Sequence, residues 1–275
     1  DAAQMGLSGA ALTAQVAQAT RLAVLGEVEQ QEALQTSVSV MNAFGIAAED
    51  LASKIDFLNA VENETMTAIS DLTIAIPKAA PVVKQLGGSV EDLAFFLTAM
   101  KEGGINASEG ANALKSGLAS IINPTEKTTK FLEQFNISVK GIVDANAGDL
   151  KGTIFGIADA LNTLDPLDRA RAIEQLFGKF QFSRISTLFQ NITKEGSQAQ
   201  RVLELTRSST EELAILSERE LGRVEESPLF KFQKSIESLQ AALAPIGEEF
   251  VKAITPVIEF GRTLLERFNQ MGDGA

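Results

Sequence analysis

The stretch Gly87-Gly88-Ser89-Val90-Glu91-Asp92-Leu93-Ala94 stops one helix and starts the next within four residues. Glycine just past a helix enters the left-handed region without a Cβ penalty, and the following N–H groups can close the last turn. Ser89 then caps the next helix, with Asp92 three residues on to meet its exposed N–H groups. The same punctuation occurs at Gly45-Ile46-Ala47-Ala48-Glu49-Asp50-Leu51-Ala52, and at Gly103-Gly104-Ile105-Asn106-Ala107-Ser108-Glu109, where Asn106 is the cap. Helices joined this tightly fold back on one another, so the region reads as stacked antiparallel helical hairpins.

Outward from there the helical pattern continues. Apolar spacing of three and four predicts helices over about 7–44, with a break near Gly26, and from about Glu49 with Leu51, Ile55 and Leu58 on one stripe. A helix from about Thr65 is expected to kink or break at Pro77 and Pro81, since proline removes a donor and crowds the preceding turn. Further helices are expected at 89–101, 107–121, 150–164, 166–177, 182–191, 197–207 and 210–223. Asn123-Pro124-Thr125-Glu126 reads as an Asn cap with proline at the first helical position; Asp165-Pro166 and Ser227-Pro228 repeat the device. The exception is Ile137-Ser138-Val139-Lys140-Gly141-Ile142-Val143, whose β-branched residues predict a small β-hairpin or extended loop across 137–149, with a turn at 144–148. The fold class is therefore all-α with one extended interruption.

The C-terminal part differs. Leu229, Phe232, Ile236, Leu239, Leu243, Ile246, Phe250, Ala253, Val257, Phe260 and Leu264 alternate by three and four, a heptad seam. Pro245 and Pro256 fall beside the seam and imply kinks or two shorter helices. Such a stripe either packs on its own chain or self-associates about an axis, with Ile236, Leu239, Leu243, Ile246, Phe250, Val257, Phe260 and Leu264 as the contact residues. Two domains are expected: helical hairpins over 1–225 and a long amphipathic helix over 226–275.

Composition narrows the chemistry. The 275 residues contain no Cys, His, Trp or Tyr, and 16 Phe supply all the aromatic bulk. There is thus no disulfide, no thiolate, and neither the commonest general base nor the commonest zinc ligand. A net charge of −12 disfavours binding to phosphate backbones and anionic lipid. Arg169, Arg171, Lys179 and Arg184 form the one local basic grouping, read as a solvated helix face. No apolar run approaches the ~18 residues of a spanning helix. Opening on Asp1 rather than Met, the chain reads as an excised or processed piece of something longer.

Adjacent carboxylates at Glu49/Asp50, Glu91/Asp92, Glu211/Glu212, Glu225/Glu226 and Glu248/Glu249 raise the question of glycoside hydrolysis. The first three pairs fall in first helical turns, where the helix dipole explains them, and neighbours on a helix diverge by about 100°. Asp144-Ala145-Asn146-Ala147-Gly148-Asp149 is a partial calcium-loop pattern that lacks its closing Glu and reads as a turn. Phe95, Phe96, Phe131, Phe135, Phe155, Phe177, Phe180, Phe182 and Phe189 follow helical spacing and are assigned to the core. No catalytic, cofactor-binding or metal-ligating residue is expected.

Several motifs, in order, resemble the tail tape measure family of long-tailed bacteriophages. Met41-Asn42-Ala43-Phe44-Gly45 with residues 46–52 is the first, followed by residues 81–94 around Gly87-Gly88 and residues 103–118 running to Asn123-Pro124-Thr125. Residues 135–149, Leu176-Phe177-Gly178-Lys179, and Pro245-Ile246-Gly247-Glu248-Glu249 with a second proline at 256 continue the likeness, which covers nearly the whole chain from about Gln30. The resemblance implies a structural, non-enzymatic tail protein made in the host cytoplasm and housed in the virion tail lumen or tip. It implies that total length sets tube length, that the protein leaves with the DNA, and that its partners are tube and tail-tip proteins and copies of itself, with three-fold symmetry expected. The alternatives are a membrane-active helical bundle, for which 65–86 is too interrupted by Asp71, Pro77 and Pro81, and a carboxylate-based cell-wall hydrolase.

Overall fold

The computed structural model describes residues 9–48 and 50–226. Among the described residues there are thirteen α-helices and no strand. In chain order they are α1 (Gly9–Leu25), α2 (Gln30–Phe44), α3 (Leu51–Glu64), α4 (Ile69–Gln85), α5 (Val90–Glu102), α6 (Ala107–Ile122) and α7 (Glu126–Glu133). There follow α8 (Val139–Ala145), α9 (Leu150–Asn162), α10 (Pro166–Phe177), α11 (Phe182–Thr193), α12 (Gln198–Leu205) and α13 (Thr210–Glu226). The chain divides into two compact units, Asp1–Ser217 and Glu218–Ala275. The described part of the second is the end of α13, and the architecture below is that of the first. The heptad seam, Ile236 through Leu264, lies outside the described residues, as does Ser227-Pro228.

The glycine punctuation folds as expected. Gly45, Gly87 and Gly104 have φ of 69°, 80° and 81°. Ile46 N donates to Met41 O at 3.1 Å, Gly88 N to Val83 O at 2.9 Å and Ile105 N to Met100 O at 3.1 Å, each closing a six-residue turn over a helix end. Ser89 and Asp92 form a reciprocal box: Asp92 N donates to Ser89 Oγ at 3.1 Å and Ser89 N to Asp92 Oδ2 at 3.0 Å. Asn106 Oδ1 accepts from Glu109 N at 2.9 Å. The first instance is weaker, because Asp50 sits at the α3 start in helical conformation with no side-chain cap bond.

α5 is the central rod. Its eight successive residues Leu93 to Met100 are all buried, against α3, α4, α6, α11 and α12. A helix apolar on every side belongs inside, and Phe95 and Phe96 there meet edge to face at 5.3 Å. α4 lies between α2 and α6. Ala75, Ala79 and Ala80 face inward from α4, and Ala107, Gly110, Ala111 and Ala113 from α6, so small residues let these axes approach closely.

Three expectations are corrected. The break allowed for at Pro77 and Pro81 does not occur, because α4 continues through both. Pro77 cannot donate to Thr73 O, but the buried Thr36 Oγ1 of α2 donates to that carbonyl instead, at 3.3 Å. Both proline rings lie on the exposed face of α4, where they displace nothing. The predicted β-hairpin or extended loop over 137–149 is instead the short helix α8. Ser138 Oγ accepts from Gly141 N at 3.0 Å, and Lys140 pairs with Asp144 one turn on. β-branched residues favour strands only when a neighbouring strand takes their hydrogen bonds, and no strand lies among the described residues. Of the turn predicted over 144–148, only 146–148 forms, with Gly148 at φ 85°, because 144 and 145 close α8. Finally, Asn123 closes α6 rather than opening α7, whose cap is Thr125, accepting from Thr128 N at 3.1 Å. Pro124 keeps its predecessor out of the helical region, which moves the start two residues on.

Candidate functional site

Among the described residues, several of the carboxylates raised by the sequence are engaged in holding helices. Glu91 pairs with Lys54 of α3 at 2.7 Å, while Asp92, in its capping box, lies 3.9 Å from Lys151 of α9. Glu212 Oε2 accepts from Ser209 N at 2.9 Å and so caps α13. Glu49 and the Glu248/Glu249 pair lie outside the described residues. In the calcium-like stretch, Asp144 pairs with Lys140, Asn146 Nδ2 donates to Ile142 O, and Asp149 Oδ1 caps α9 by accepting from Gly152 N at 2.8 Å. Asp144 and Asp149 are thus engaged at separate points, one with Lys140 and the other at the start of α9. Among the described residues no group of three or more His, Cys, Asp or Glu could hold a metal ion, and no helix is long and apolar enough to cross a membrane.

The basic grouping does not form one surface of free charge. Arg171 pairs with Asp168 at 3.1 Å, Arg169 donates to Asn162 Oδ1 at 3.0 Å, and Arg184 lies 3.4 Å from Glu109. Lys179 is exposed and in no ion pair among the described residues. Asp165 accepts from the backbone N–H groups of Asp168 and Leu167, which hold its carboxyl below the usual aspartate range. Hydrogen bonds to Glu64 and Glu204 raise Arg201 further, keeping it a cation.

A void of about 10 Å³, room for about one water, lies between α6, α9, α10 and α11. Leu114, Ile121, Ile154, Phe177 and Leu188 are among its walls, and no polar side chain reaches it.

What the geometry does build is a set of cross-helix polar ties at named points. Arg21 of α1 meets Asp56 of α3 at 2.7 Å. Thr67 Oγ1 donates to Thr98 Oγ1 at 2.9 Å, and Asn191 Nδ2 of α11 donates to Ala99 O of α5 at 2.7 Å. Glu102 at the end of α5 accepts from Gln198 N at 2.8 Å, capping α12, and pairs with Lys194. Arg201 of α12 clasps Glu64 of α3 at 2.8 Å. Buried polar side chains require such partners, and the sequence shows the residues without showing which partner each takes.

The family model described as phage-related minor tail protein matches residues 1–178. The chain belongs to this family. It is also similar to a tape measure protein of Pneumococcus phage Dp-1, 25% identical over 227 residues that make up 82% of this chain. The chain spans about a fifth of that relative's length. No solved structure matches.

The described part of this member of the phage-related minor tail protein family is helical. The self-association residues expected from the sequence, Ile236 to Leu264, lie outside the described part. Two surface features within it escaped the sequence reading. Phe180, assigned to the core, is 87% exposed, on the turn between α10 and α11. Its neighbours in the helical pattern, Phe177 and Phe189, are buried against one another at 5.6 Å. Gly178, with φ 84°, ends the helix and breaks the periodicity that placed Phe180 inside. Ile215 and Leu216 of α13 are also exposed, at 53% and 37%. The signal for Phe180 was available in Gly178 two residues before it, and Ile215 and Leu216 follow the acidic first turn of α13.

Proposed function

We propose that the chain is a helical part of a tape-measure-type tail protein. The observation that carries this reading is the family match over residues 1–178, together with the similarity to a tape measure protein over most of the chain. The long protein to which it corresponds stands in the tail lumen or at its tip, sets tube length by its own length, and leaves with the DNA at infection. Residues 1–225 supply a compact helical-hairpin module. Residues 226–275 supply a docking or self-association helix, with three copies about the tail axis joined at Leu239, Leu243, Ile246 and Phe250. Its partners are then tube and tail-tip proteins. No catalytic step is assigned to it, in keeping with carboxylates that serve as helix caps and ion pairs.

A cryo-electron microscopy map of intact particles tests the reading. Density for this helical module on the tail axis, inside the tube or at its tip, is expected. Density confined to the capsid or to the outer tail surface overturns it. The seam is tested on the full chain by light scattering with Leu243→Asp and Phe250→Asp: loss of the trimer is expected, and association that these variants leave unchanged overturns the seam.

A further inference from the structure

We infer that copies of this chain also associate head to tail, the Phe180 tip of one copy seating on the acidic, apolar face of α13 in the next. The tip is presented rigidly. Gln181 N donates to Gly178 O at 3.1 Å, and Arg184 Nη1 donates to Phe180 O at 2.7 Å. Arg184 Nη2 in turn lies 3.4 Å from Glu109 of α6, which ties the turn to the helical body. The backbone is thus fixed while the ring stands 87% exposed. A backbone that needs no ordering on contact lowers the entropy lost when its aromatic side chain docks, which favours that side chain as an interface anchor. Beside it Lys179 adds a positive charge that no carboxylate among the described residues neutralises.

The receiving face lies on α13. Ile215 and Leu216 are exposed there, and one turn earlier stand Glu211 and Glu212, also exposed. Residues four apart share a helix face, so each apolar side chain has a carboxylate above it. The opposite side of this helix is anchored: Leu213 and Ser217 are buried, and Ser217 Oγ accepts from Asn59 Nδ2 at 3.3 Å. Tip and face therefore offer the same pairing in complementary form, an apolar group beside a cation and an apolar face beside carboxylates. A chain of net charge −12 repels its own copies wherever acidic surfaces meet. Lys179 against Glu211 and Glu212 is an arrangement that turns repulsion into attraction. Because the two surfaces differ, the contact is heterologous: each copy uses one and leaves the other open, so assembly passes beyond a dimer unless it closes as a ring. The contact does not use the seam at 236–264.

The absence of cysteine makes the test direct. Full-length chains carrying Lys179→Cys and Leu216→Cys are prepared separately, mixed and oxidised. Mixed disulfides well beyond the roughly twofold excess over either homodisulfide that random pairing gives are expected; a yield at or below that ratio overturns the contact. Sedimentation in the Leu243→Asp, Phe250→Asp background, which silences the seam, then reads the contact alone. Phe180→Ser is expected to weaken association by about thirtyfold, the loss typical of an interface anchor. Lys179→Glu and Glu211→Lys each weaken it, and mixing these two variants restores a Lys–Glu pairing and with it association. A chain that stays monomeric in this background, or whose association ignores Phe180→Ser, overturns the proposal and leaves the seam untouched. Recovery of a different tail protein, rather than a second copy, at position 180 by photocrosslinking in particles overturns it as well.

Discussion

Thr36 Oγ1 donates to Thr73 O at 3.3 Å, the carbonyl that Pro77 deprives of its backbone partner. Both threonines are buried, so without this bond an acceptor would lie in the α2–α4 interface with no donor. Thr73 Oγ1 also donates to Glu32 Oε1 at 2.5 Å, placing a second tie one turn away on the same pair of helices.

Thr36→Val keeps the shape and removes the donor. It is expected to cost about 1–3 kcal/mol, the price of a buried unpaired polar group. Pro77→Ala in the same chain returns an N–H to Thr73 O, so most of the loss is expected to be recovered. Chemical denaturation of the two single variants and the double variant measures the coupling, and additive effects would contradict the account.

Gly87 meets a second constraint besides its φ of 80°: a Cβ there would lie 2.4 Å from Gly148 O. Gly45, at φ 69°, has open space around it. Gly45→Ala is therefore expected to cost about 1–2 kcal/mol, the left-handed penalty alone. Gly87→Ala is expected to cost about 3 kcal/mol or more, because the α4–α5 and α8–α9 turns must separate. Thermal unfolding of the two variants gives the ranking.

Asp165 has a carboxyl held below its usual range by the N–H groups of Asp168 and Leu167. A carboxyl whose pKa falls on folding stabilises the fold above its unfolded value, and that contribution fades as pH drops through the lower folded value. Asp165→Asn retains a capping oxygen without the charge. Its stability is expected to decline less steeply than wild type below about pH 4, as followed by helical circular dichroism in an acid titration.

Phe95 and Phe180 separate burial from periodicity. Phe95→Ala is expected to cost about 3–5 kcal/mol, since Phe95 is 1% exposed and packs on Phe96 and Phe155. Phe180→Ser is expected to stay within about 0.5 kcal/mol of wild type in folding stability. Equal losses in a denaturant series would place Phe180 back in the core.

The helix starts, stops and order were legible in the residues because the forces that set them act within a turn or two. Ser89 finds Asp92 three residues away, Asp165 precedes its proline, and glycine reverses the chain at 45, 87 and 104 wherever the rest of the molecule lies. The lack of Cys and His likewise excluded whole classes of chemistry from composition alone. Tertiary structure decided what depends on the neighbour alongside. α4 passes its prolines where α2 supplies a hydroxyl, and α8 is helical where no strand among the described residues pairs with it. Phe180 reaches solvent because Gly178 turns the chain before the periodic face resumes, while Glu102 caps α12 from 96 residues away. Caps and helix dipoles are local in sequence. Burial and cross-helix hydrogen bonds are set only when the helices have packed.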